Sequence, residues 1–375
     1  MAGIYIHIPF CKKACHYCNF HFSTQTKYIA DFTNAILKEI ELQQGYLSAP
    51  IDTLYFGGGT PSLLPIDDFK KIIGHIGRYF KMASNIEFTI EANPDDITHS
   101  NTKAWKEIGI NRLSIGIQSF QPAALSWMNR AHTTEQSHTA ILMAQDAGFE
   151  NISADLIYGT PHLTDDDLKA DLAILNRYQI PHLSCYALTV EEKTALSKLI
   201  ELKKMSSVDH AHQARQFDIV VDYLEATGME HYEISNFALP GFRSKHNSNY
   251  WKGIPYLGLG PSAHSFNTIS RQWNVSNNHL YFQSLAGNLV PYELEDLDLK
   301  AQYNEYIMIS LRCIEGMDIT LIRAQFGPTF YEHTINMANQ FIEKGSIEKT
   351  NQGFALTKNA RFFADGIAAD FFILE

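Results

Sequence analysis

Short apolar runs alternate with helix-periodic stretches over the first two thirds of the chain. The run IYIHI at residues 4–8, bounded by Pro9, is typical of a buried strand. Residues 27–44 then place apolar side chains at helical spacing. The same order recurs through residues 3–235, and six strand-helix units are predicted. Alternation of this kind indicates parallel strands joined by right-handed crossovers.

The other five predicted strands lie in segments that end in polar or glycine-containing turns. These segments are DTLYF (52–56), NIEFTIEANP (85–94), INRLSIGIQSF (110–120), NISADLIYGTP (151–161) and IPHLSCYALTV (180–190). Two of the predicted helices span residues 66–79 and 136–147. The pattern favours an α/β fold, an incomplete (β/α)6 TIM-like barrel with its site at the carboxyl ends of the strands. A doubly wound open sheet is the structural alternative.

The last third of the chain has a different pattern. Residues 236–290 are rich in Gly, Asn, Ser and aromatic side chains and show little periodicity, so an irregular segment is predicted there. Residues 291–375 are helical again and end in a hairpin turning at 351–353 followed by a final helix. We expect a smaller, mostly helical, winged-helix-like C-terminal domain after a core domain at residues 1–235.

Composition and charge narrow the functional classes. The 375 residues are 45% hydrophobic and 19% charged, and the formal net charge is −11. Because nucleic-acid binding needs clustered Lys and Arg, and no basic run exceeds two residues, we expect no nucleic-acid partner. No signal peptide and no transmembrane run are evident, which predicts a cytoplasmic protein.

A cysteine cluster carries the strongest chemical signal. Three of the five cysteines lie in HIPFCKKACHYCNF, residues 7–20, spaced C-x3-C-x2-C, whereas Cys185 and Cys313 are isolated and are predicted core residues. A zinc site completed by a nearby histidine, His7, His16 or His21, is one interpretation. The other is a [4Fe–4S] cluster, which ordinarily takes four cysteines and here would keep one iron open for a chelating ligand.

Several motifs in order resemble one family along nearly the whole chain. The C-x3-C-x-Tyr-C loop is followed by GGGTP (57–61), IEANP (90–94), RLSIGIQSF (112–120) and DLIYGTP (155–161). Together they resemble the radical S-adenosylmethionine (SAM) superfamily, in the group similar to oxygen-independent coproporphyrinogen III oxidase. The resemblance implies a partial barrel of the radical SAM type, three cysteines on a [4Fe–4S] cluster, and SAM on the fourth iron. Reductive cleavage of SAM can then yield a 5′-deoxyadenosyl radical.

The resemblance also implies roles for individual residues. The cluster ligands would be Cys11, Cys15 and Cys18. The residues that would hold SAM are Tyr5, Tyr17, Gly58, Gly59, Thr60, Glu91, Gln118, Arg130 and Asp155. Among them, Glu91 would pair with the SAM ammonium, and Gln118, Arg130 and Asp155 match positions that hold a second SAM in the oxidases. An ordinary surface arginine is the alternative for Arg130.

Two departures separate this chain from the oxidase pattern. The oxidases carry a further cysteine where this chain has Phe20, and they carry an extension before the first strand, whereas Met1 lies ten residues before Cys11. Both features match the HemW-type heme chaperones of the same group.

A second motif points the same way. KHNSNYW, residues 245–251, contains HNxxYW, which is associated with heme in those relatives. The residues expected to contact heme are His246, Asn247, Tyr250 and Trp251, with His264 as a second neighbour. Imidazole can bind iron, and the aromatic rings can stack on a porphyrin. The alternative is an aromatic-rich loop whose histidine only hydrogen-bonds the backbone.

Three functions remain open from the sequence. The favoured one is a heme chaperone that binds heme and delivers it to acceptor proteins, and coproporphyrinogen III oxidase activity is not expected. The others are that oxidase activity, and a radical SAM enzyme acting on RNA or another small substrate. The number of SAM molecules, SAM cleavage, homodimer formation and peripheral membrane association through residues 364–375 all stay open. Docking of that last segment on the core is favoured.

Overall fold

Six parallel strands in sequential order form the centre of the fold. The computed structural model describes residues 1–374. The strands are β1 (Ala2–Ile8), β2 (Ile51–Gly58), β3 (Met82–Ala92), β4 (Arg112–Gln118), β5 (Asn151–Tyr158) and β6 (His182–Ala187). Each pairs in parallel with the next. A doubly wound sheet would reverse its strand order at a switch point. The order here does not reverse between β1 and β6, which confirms the partial (β/α)6 arrangement.

Helices connect these strands as predicted. They are α1 (Ile29–Leu42), α2 (Ile66–Tyr79), α3 (His99–Glu107), α4 (Pro122–Trp127), α5 (Thr134–Asp146) and α6 (Asp165–Arg177). In α1, Phe32, Ile36 and Ile40 recur every four residues and are fully buried. The helix predicted at 136–147 begins two residues earlier because Thr133 and Gln136 form a capping box.

The segment 236–290, expected to be irregular, instead continues the sheet. Residues beyond β6 form α7 (Ala195–Glu201), α8 (His210–Ala226), β7 (Glu230–Glu233), β8 (Asn236–Ala238), α9 (Lys245–Trp251), β9 (Tyr256–Leu259), β10 (His264–Phe266), β11 (Ser270–Asn274), α10 (Asn278–Ala286) and β12 (Tyr292–Asp296). The twelve-stranded sheet runs β12-β11-β10-β9-β1-β2-β3-β4-β5-β6-β8-β7, with β9 parallel to β1. Strands of three to five residues are too short for periodicity to identify them.

A buried carboxylate ties this extension to the helical layer. Glu39 of α1 is completely buried and accepts hydrogen bonds from Gly260 N at 2.8 Å, Asn274 Nδ2 at 2.5 Å and the Tyr281 hydroxyl. Burial raises the pKa of Glu39 to about 7, and the three donors counteract that rise. One side chain therefore links α1, β11, α10 and the turn after β9.

The C-terminal residues form a second, smaller core. Its elements are α11 (Leu299–Leu311), β13 (Met317–Asp318), α12 (Ile319–Phe326), α13 (Pro328–Glu343), β14 (Ile347–Lys349), β15 (Gly353–Leu356) and α14 (Ala364–Asp370). The strands form a separate sheet in the order β13-β15-β14. The predicted hairpin and final helix are confirmed, whereas the division of the chain at 235 and 290 stays a prediction. Glu375, the end of the segment considered for membrane association, lies outside the described residues.

Three further predictions concern isolated residues and the membrane. Cys185 is buried in the core, as predicted, whereas Cys313 is only half-buried, beside an isolated β-bridge to Glu233. In α14, Ile367 and Ala368 face the second core, which is consistent with docking of this helix. Within residues 1–374, no helix has the length and apolar character needed to cross a membrane.

Candidate cofactor site

A cavity of about 560 Å³ opens at the carboxyl ends of the parallel strands. Gly58 ends β2, Gln118 ends β4 and Tyr158 ends β5, and all three line this cavity. Because parallel strands end at the same edge of a sheet, side chains from distant segments meet here. The cavity therefore lies where the sequence pattern predicts a site.

The cysteine loop forms one wall of the cavity. The three thiols on this wall are Cys11, Cys15 and Cys18. All three are half-buried and form no disulfide. The loop is fixed to the barrel, since Cys11 N donates to Ser23 O at 3.0 Å and His16 N donates to Met128 O at 3.1 Å. Burial raises the pKa of the Cys11 thiol to about 11. A thiol of that pKa is neutral at pH 7 and is not an activated nucleophile.

The glycine-rich turn after β2 approaches the cysteine loop closely. Gly58 has φ +108°, and a Cβ there would lie 2.7 Å from His7 Nδ1. A Cβ on Gly59 would lie 2.7 Å from Phe10 O and 3.0 Å from Cys11 Sγ. A side chain at either position would displace the first strand or the cysteine loop.

Glu91, near the end of β3, is half-buried and lines the cavity. Its Oε1 accepts the Tyr55 hydroxyl at 2.8 Å, and its Oε2 accepts Gly58 N at 3.2 Å. Burial raises the pKa of Glu91 to about 7, although both hydrogen bonds lower it. A cationic group in the cavity would stabilise the ionised carboxylate.

Gln118 and Asp155 face the same cavity from β4 and β5. Gln118 adopts φ +65°, and its buried Oε1 has no hydrogen-bond partner among residues 1–374. Asp155 accepts the Ser114 hydroxyl at 3.3 Å, and burial raises its pKa to about 6. Buried polar atoms without partners are rare in native proteins, so the Gln118 oxygen favours a ligand at this position.

Arg130 connects the cysteine loop to the barrel. Its Nη1 donates to Cys15 Sγ and to the Tyr17 hydroxyl, both at 3.3 Å. Its Nη2 donates to Asn93 Oδ1 at 2.7 Å and Gly116 O at 2.9 Å. These four hydrogen bonds of a half-buried guanidinium, one of them to a predicted cluster ligand, argue against an ordinary surface arginine.

Two predicted SAM contacts differ in their position. Tyr17 lines the cavity. Tyr5 does not; its ring lies 6.0 Å from the Tyr55 ring, and its hydroxyl lies 3.3 Å from His7 Nδ1. A direct contact of Tyr5 with a ligand in this cavity has no geometric support.

The HNxxYW residues lie outside the cavity. His246 is only 2% exposed, with Nδ1 2.8 Å from Thr53 Oγ1 and Nε2 2.8 Å from the Tyr250 hydroxyl. Asn247 is half-buried, and the buried Trp251 Nε1 has no hydrogen-bond partner within residues 1–374. In this conformation neither nitrogen of His246 is free to bind iron.

His264 has a different environment from the HNxxYW helix. Its side chain is exposed on β10, with its ring centroid 6.0 Å from that of Trp273 in a stacked arrangement. Burial of part of the ring lowers the pKa of His264, as does Arg271 nearby. At neutral pH a neutral, exposed imidazole of this kind can still bind a metal.

The opposite wall of the cavity comes from residues that the sequence did not indicate. The C-terminal part contributes Arg312, Arg361, Phe362 and Asp365. Arg312 reaches back to the barrel, with its guanidinium carbon 5.3 Å from the Trp251 ring centroid. None of these side chains belongs to a motif, and only the arrangement of the two cores brings them to the site.

Comparison with known proteins identifies the family. Residues 5–175 match the radical SAM superfamily, and residues 297–363 match the HemN C-terminal domain. The chain is 32% identical over 375 residues to the heme chaperone HemW of Bacillus subtilis, covering 99% of each chain. The chain belongs to the HemW family of radical SAM proteins.

Other relatives agree with this assignment. HemW of Lactococcus lactis is 31% identical and HemW of Mycobacterium tuberculosis 32% identical, each covering 97% of this chain, and 97% and 93% of the relatives. Coproporphyrinogen III oxidase (HemN) from Escherichia coli superimposes with a TM-score of 0.84 at 21% identity, covering 99% of this chain and 89% of that one. The last comparison shows a shared fold.

Membership of the HemW family implies a [4Fe–4S] cluster and SAM, and the donor set fits them better than it fits zinc. Within residues 1–374, no three His, Cys, Asp or Glu side chains converge on a single ion. The three nearby imidazoles have other partners: His7 Nε2 lies 2.7 Å from His21 O, His16 Nδ1 2.9 Å from Trp127 O and His21 Nε2 2.7 Å from Asn278 Oδ1. Three separated thiols suit a cluster in which each sulfur binds a different iron.

Proposed function

We propose that this protein is a heme chaperone that binds heme, delivers it to acceptor proteins and carries a [4Fe–4S] cluster with SAM. One observation carries the cofactor assignment: three thiols and the carboxylate of Glu91 line a single cavity. Full-length similarity to proteins named heme chaperone HemW supports the heme assignment. The cytoplasmic location and the lack of a nucleic-acid partner stay predictions from the sequence.

Different residues of the chain would bind the cluster and SAM. Cys11, Cys15 and Cys18 would bind the cluster. When both are bound, the cluster and SAM would supply the reductive cleavage of SAM, which can yield a 5′-deoxyadenosyl radical. Glu91 would receive the SAM ammonium, since its half-buried carboxylate lies beside the glycine turn and lines the cavity.

The neighbouring residues would complete the SAM site. Gly58, Gly59 and Thr60 would let the backbone approach the ligand, and Arg130 would hold Cys15 in place. Gln118 would donate or accept through an amide whose oxygen has no partner within the described chain. Asp155 and Tyr17 lie on the same cavity wall and would contact SAM or a second SAM.

One residue favours the chaperone over the oxidase. Phe20 stands where the oxidases place a further cysteine, lines the cavity and is 63% exposed. An apolar ring at that position cannot bind metal and offers surface to an apolar ligand. The alternative function is oxidative decarboxylation of coproporphyrinogen III.

An anaerobic assay separates these two functions. The protein with a reconstituted cluster is incubated with coproporphyrinogen III, SAM and reductant, and products are separated chromatographically. The chaperone predicts no protoporphyrinogen IX. Turnover to that product would establish the oxidase instead.

Heme contact through His246, Asn247, Tyr250 and Trp251 remains part of the proposal. Because both ring nitrogens of His246 are engaged and the residue is buried, iron ligation requires the imidazole to give up one hydrogen bond and leave its buried position. A hemin titration of His246→Ala tests this contact, with a weakened Soret band as the expected result. An unchanged band would remove the motif from the heme site, and His264→Ala is then the informative variant.

Peripheral membrane contact and a homodimer are further proposals. Liposome flotation tests the first, and light scattering tests the second.

A further inference from the structure

The HNxxYW helix is anchored under the barrel by an acidic residue of β3. Glu87 is buried, and its carboxylate accepts Lys245 N at 3.0 Å and His246 N at 2.9 Å. Ser244 caps the same helix by accepting Asn247 N at 3.3 Å. These bonds satisfy the free N–H groups of the first turn and fix α9 against β1 and β2.

The imidazole of His246 belongs to a stack of three rings. Its centroid lies 4.8 Å from that of Tyr55, with 25° between the planes. The Tyr5 centroid lies 6.0 Å from Tyr55 and 6.3 Å from His246. Hydrogen bonds to Thr53 and Tyr250 fix the plane of the imidazole. The Tyr55 ring therefore rests on a surface of fixed orientation.

Tyr55 transmits that orientation to the cavity. Its hydroxyl donates to Glu91 Oε1 at 2.8 Å. The packing around this bond is tight, because a Cβ on Gly57 would lie 2.8 Å from the Tyr5 ring, 2.9 Å from the Tyr55 ring and 3.1 Å from Glu91 Oε1. The other carboxylate oxygen accepts Gly58 N at 3.2 Å. One tyrosine hydroxyl and one backbone amide thus set the direction of the Glu91 carboxylate.

We propose that His246 is a positioning residue of the SAM site, which acts through Tyr55 on Glu91. This inference rests on the proposed pairing of Glu91 with the SAM ammonium. In this role the flat ring and its fixed plane matter, and iron binding does not. The HNxxYW helix then supports the cofactor site from behind Tyr55 without itself lining the cavity.

The experiment measures binding of two ligands to the full chain with a reconstituted cluster. SAM carries the ammonium, and 5′-methylthioadenosine has the same nucleoside without the amino-acid group. Calorimetric titration gives the ratio of their affinities. The two ligands also differ in the sulfonium charge of SAM, so the change in this ratio from wild type to variant is what reports on the amino-acid end. Tyr55→Phe removes a hydrogen bond to a carboxylate, so we expect SAM to bind about tenfold more weakly, with methylthioadenosine unchanged within about twofold.

Two substitutions at His246 separate ring shape from metal binding. His246→Ala removes the stacked ring and should lower the SAM-to-methylthioadenosine affinity ratio. His246→Phe keeps a flat ring but offers no nitrogen, and should restore most of that ratio. Circular dichroism checks the fold of both variants, and Tyr55→Phe tests the proposal without changing His246.

A second tyrosine–histidine pair provides the matched control. The Tyr178 hydroxyl lies 2.9 Å from His138 Nδ1, and neither residue lines the cavity. Tyr178→Phe and His138→Ala should leave the affinity ratio unchanged. An unchanged ratio in both Tyr55→Phe and His246→Ala would overturn the positioning role, as would equal losses in His246→Phe and His246→Ala. Wild-type protein that binds no SAM would overturn the cofactor assignment itself.

Discussion

The half-buried carboxylate of Glu91 has no paired cation in the part of the chain that the structure describes. Within residues 1–374 no Lys, Arg or His lies within ion-pair distance of its carboxylate, which is held only by a tyrosine hydroxyl and a backbone amide. Desolvation therefore raises the pKa of Glu91 to about 7. A cationic ligand would supply the missing charge and lower this pKa on binding.

SAM affinity should consequently depend on pH. Above about pH 7 Glu91 is ionised before the ligand arrives, and its titration contributes no pH dependence. Below about pH 7 the carboxyl is protonated in the free protein, so binding must expel a proton and affinity falls by up to about tenfold per pH unit. Isothermal titration between pH 5.5 and about 7.5 measures this slope. In Glu91→Gln the slope between about pH 6 and 7 should disappear, whereas Asp155, with a pKa of about 6, can still contribute below that range. A slope that persists between about pH 6 and 7 would assign the proton to another group.

At the scale of elements, two proposed roles of the short helix α9 conflict with each other. Its histidine supports Tyr55 under the cofactor cavity, yet the heme proposal asks the same imidazole to bind iron. Both nitrogens of His246 are hydrogen-bonded and the residue is only 2% exposed, so iron ligation must break the bond to Thr53 or to Tyr250 and move the imidazole from its place beside Tyr55. The helix cannot satisfy both roles at once.

Hemin and SAM should therefore oppose each other's binding. Hemin ligated by His246 would release the Tyr55 ring and weaken SAM binding, and linkage requires SAM to weaken hemin binding by the same factor. We expect a factor of about five or more, measured as the hemin dissociation constant with and without saturating SAM. His246→Phe should abolish the coupling. Equal hemin affinity in the two conditions would show that hemin does not use this histidine.

Elements also differ in how well sequence predicts them. The strands β1 to β6 are long enough for apolar runs to show, and the helix at 66–79 has the predicted bounds. The strands β8 to β11 depend on pairing with a sheet that is already formed, and no local sequence pattern predicts them.

The site residues also differ in how well the sequence predicts them. Sequence motifs indicated the three clustered cysteines and Glu91 as site residues. Arg312 and the stacking of His246 on Tyr55 arise only from long-range packing.

At the scale of the whole molecule, Arg312 is one of several residues that join the two cores, as are Lys358 and Arg361. Arg312 pairs with Glu233 at 2.9 Å and with Asp365 at 2.6 Å, and it also lines the cavity. Its backbone oxygen accepts Ile234 N at 3.1 Å, which continues the contact along the chain. The Glu233 side chain is only 1% exposed, so Arg312 pairs with a carboxylate that water barely reaches.

Arg312→Met should destabilise the folded chain strongly. Removing the guanidinium leaves the Glu233 carboxylate buried without its cation, and a loss of about 3 kcal/mol in the free energy of unfolding is expected. Urea denaturation followed by circular dichroism measures it. The control is Arg215→Met, whose exposed pair with Asp165 should contribute little. Equal effects of the two substitutions would show that the Arg312 contact does not join the cores.

The most direct test of the whole molecule is heme binding by the wild-type chain. Hemin is titrated into full-length protein with a reconstituted cluster under anaerobic conditions, and the absorbance in the Soret region is followed. A heme chaperone predicts a new Soret band that saturates at a fixed ratio of hemin to protein. Absorbance that only grows in proportion to added hemin, without saturation, would contradict the heme chaperone function.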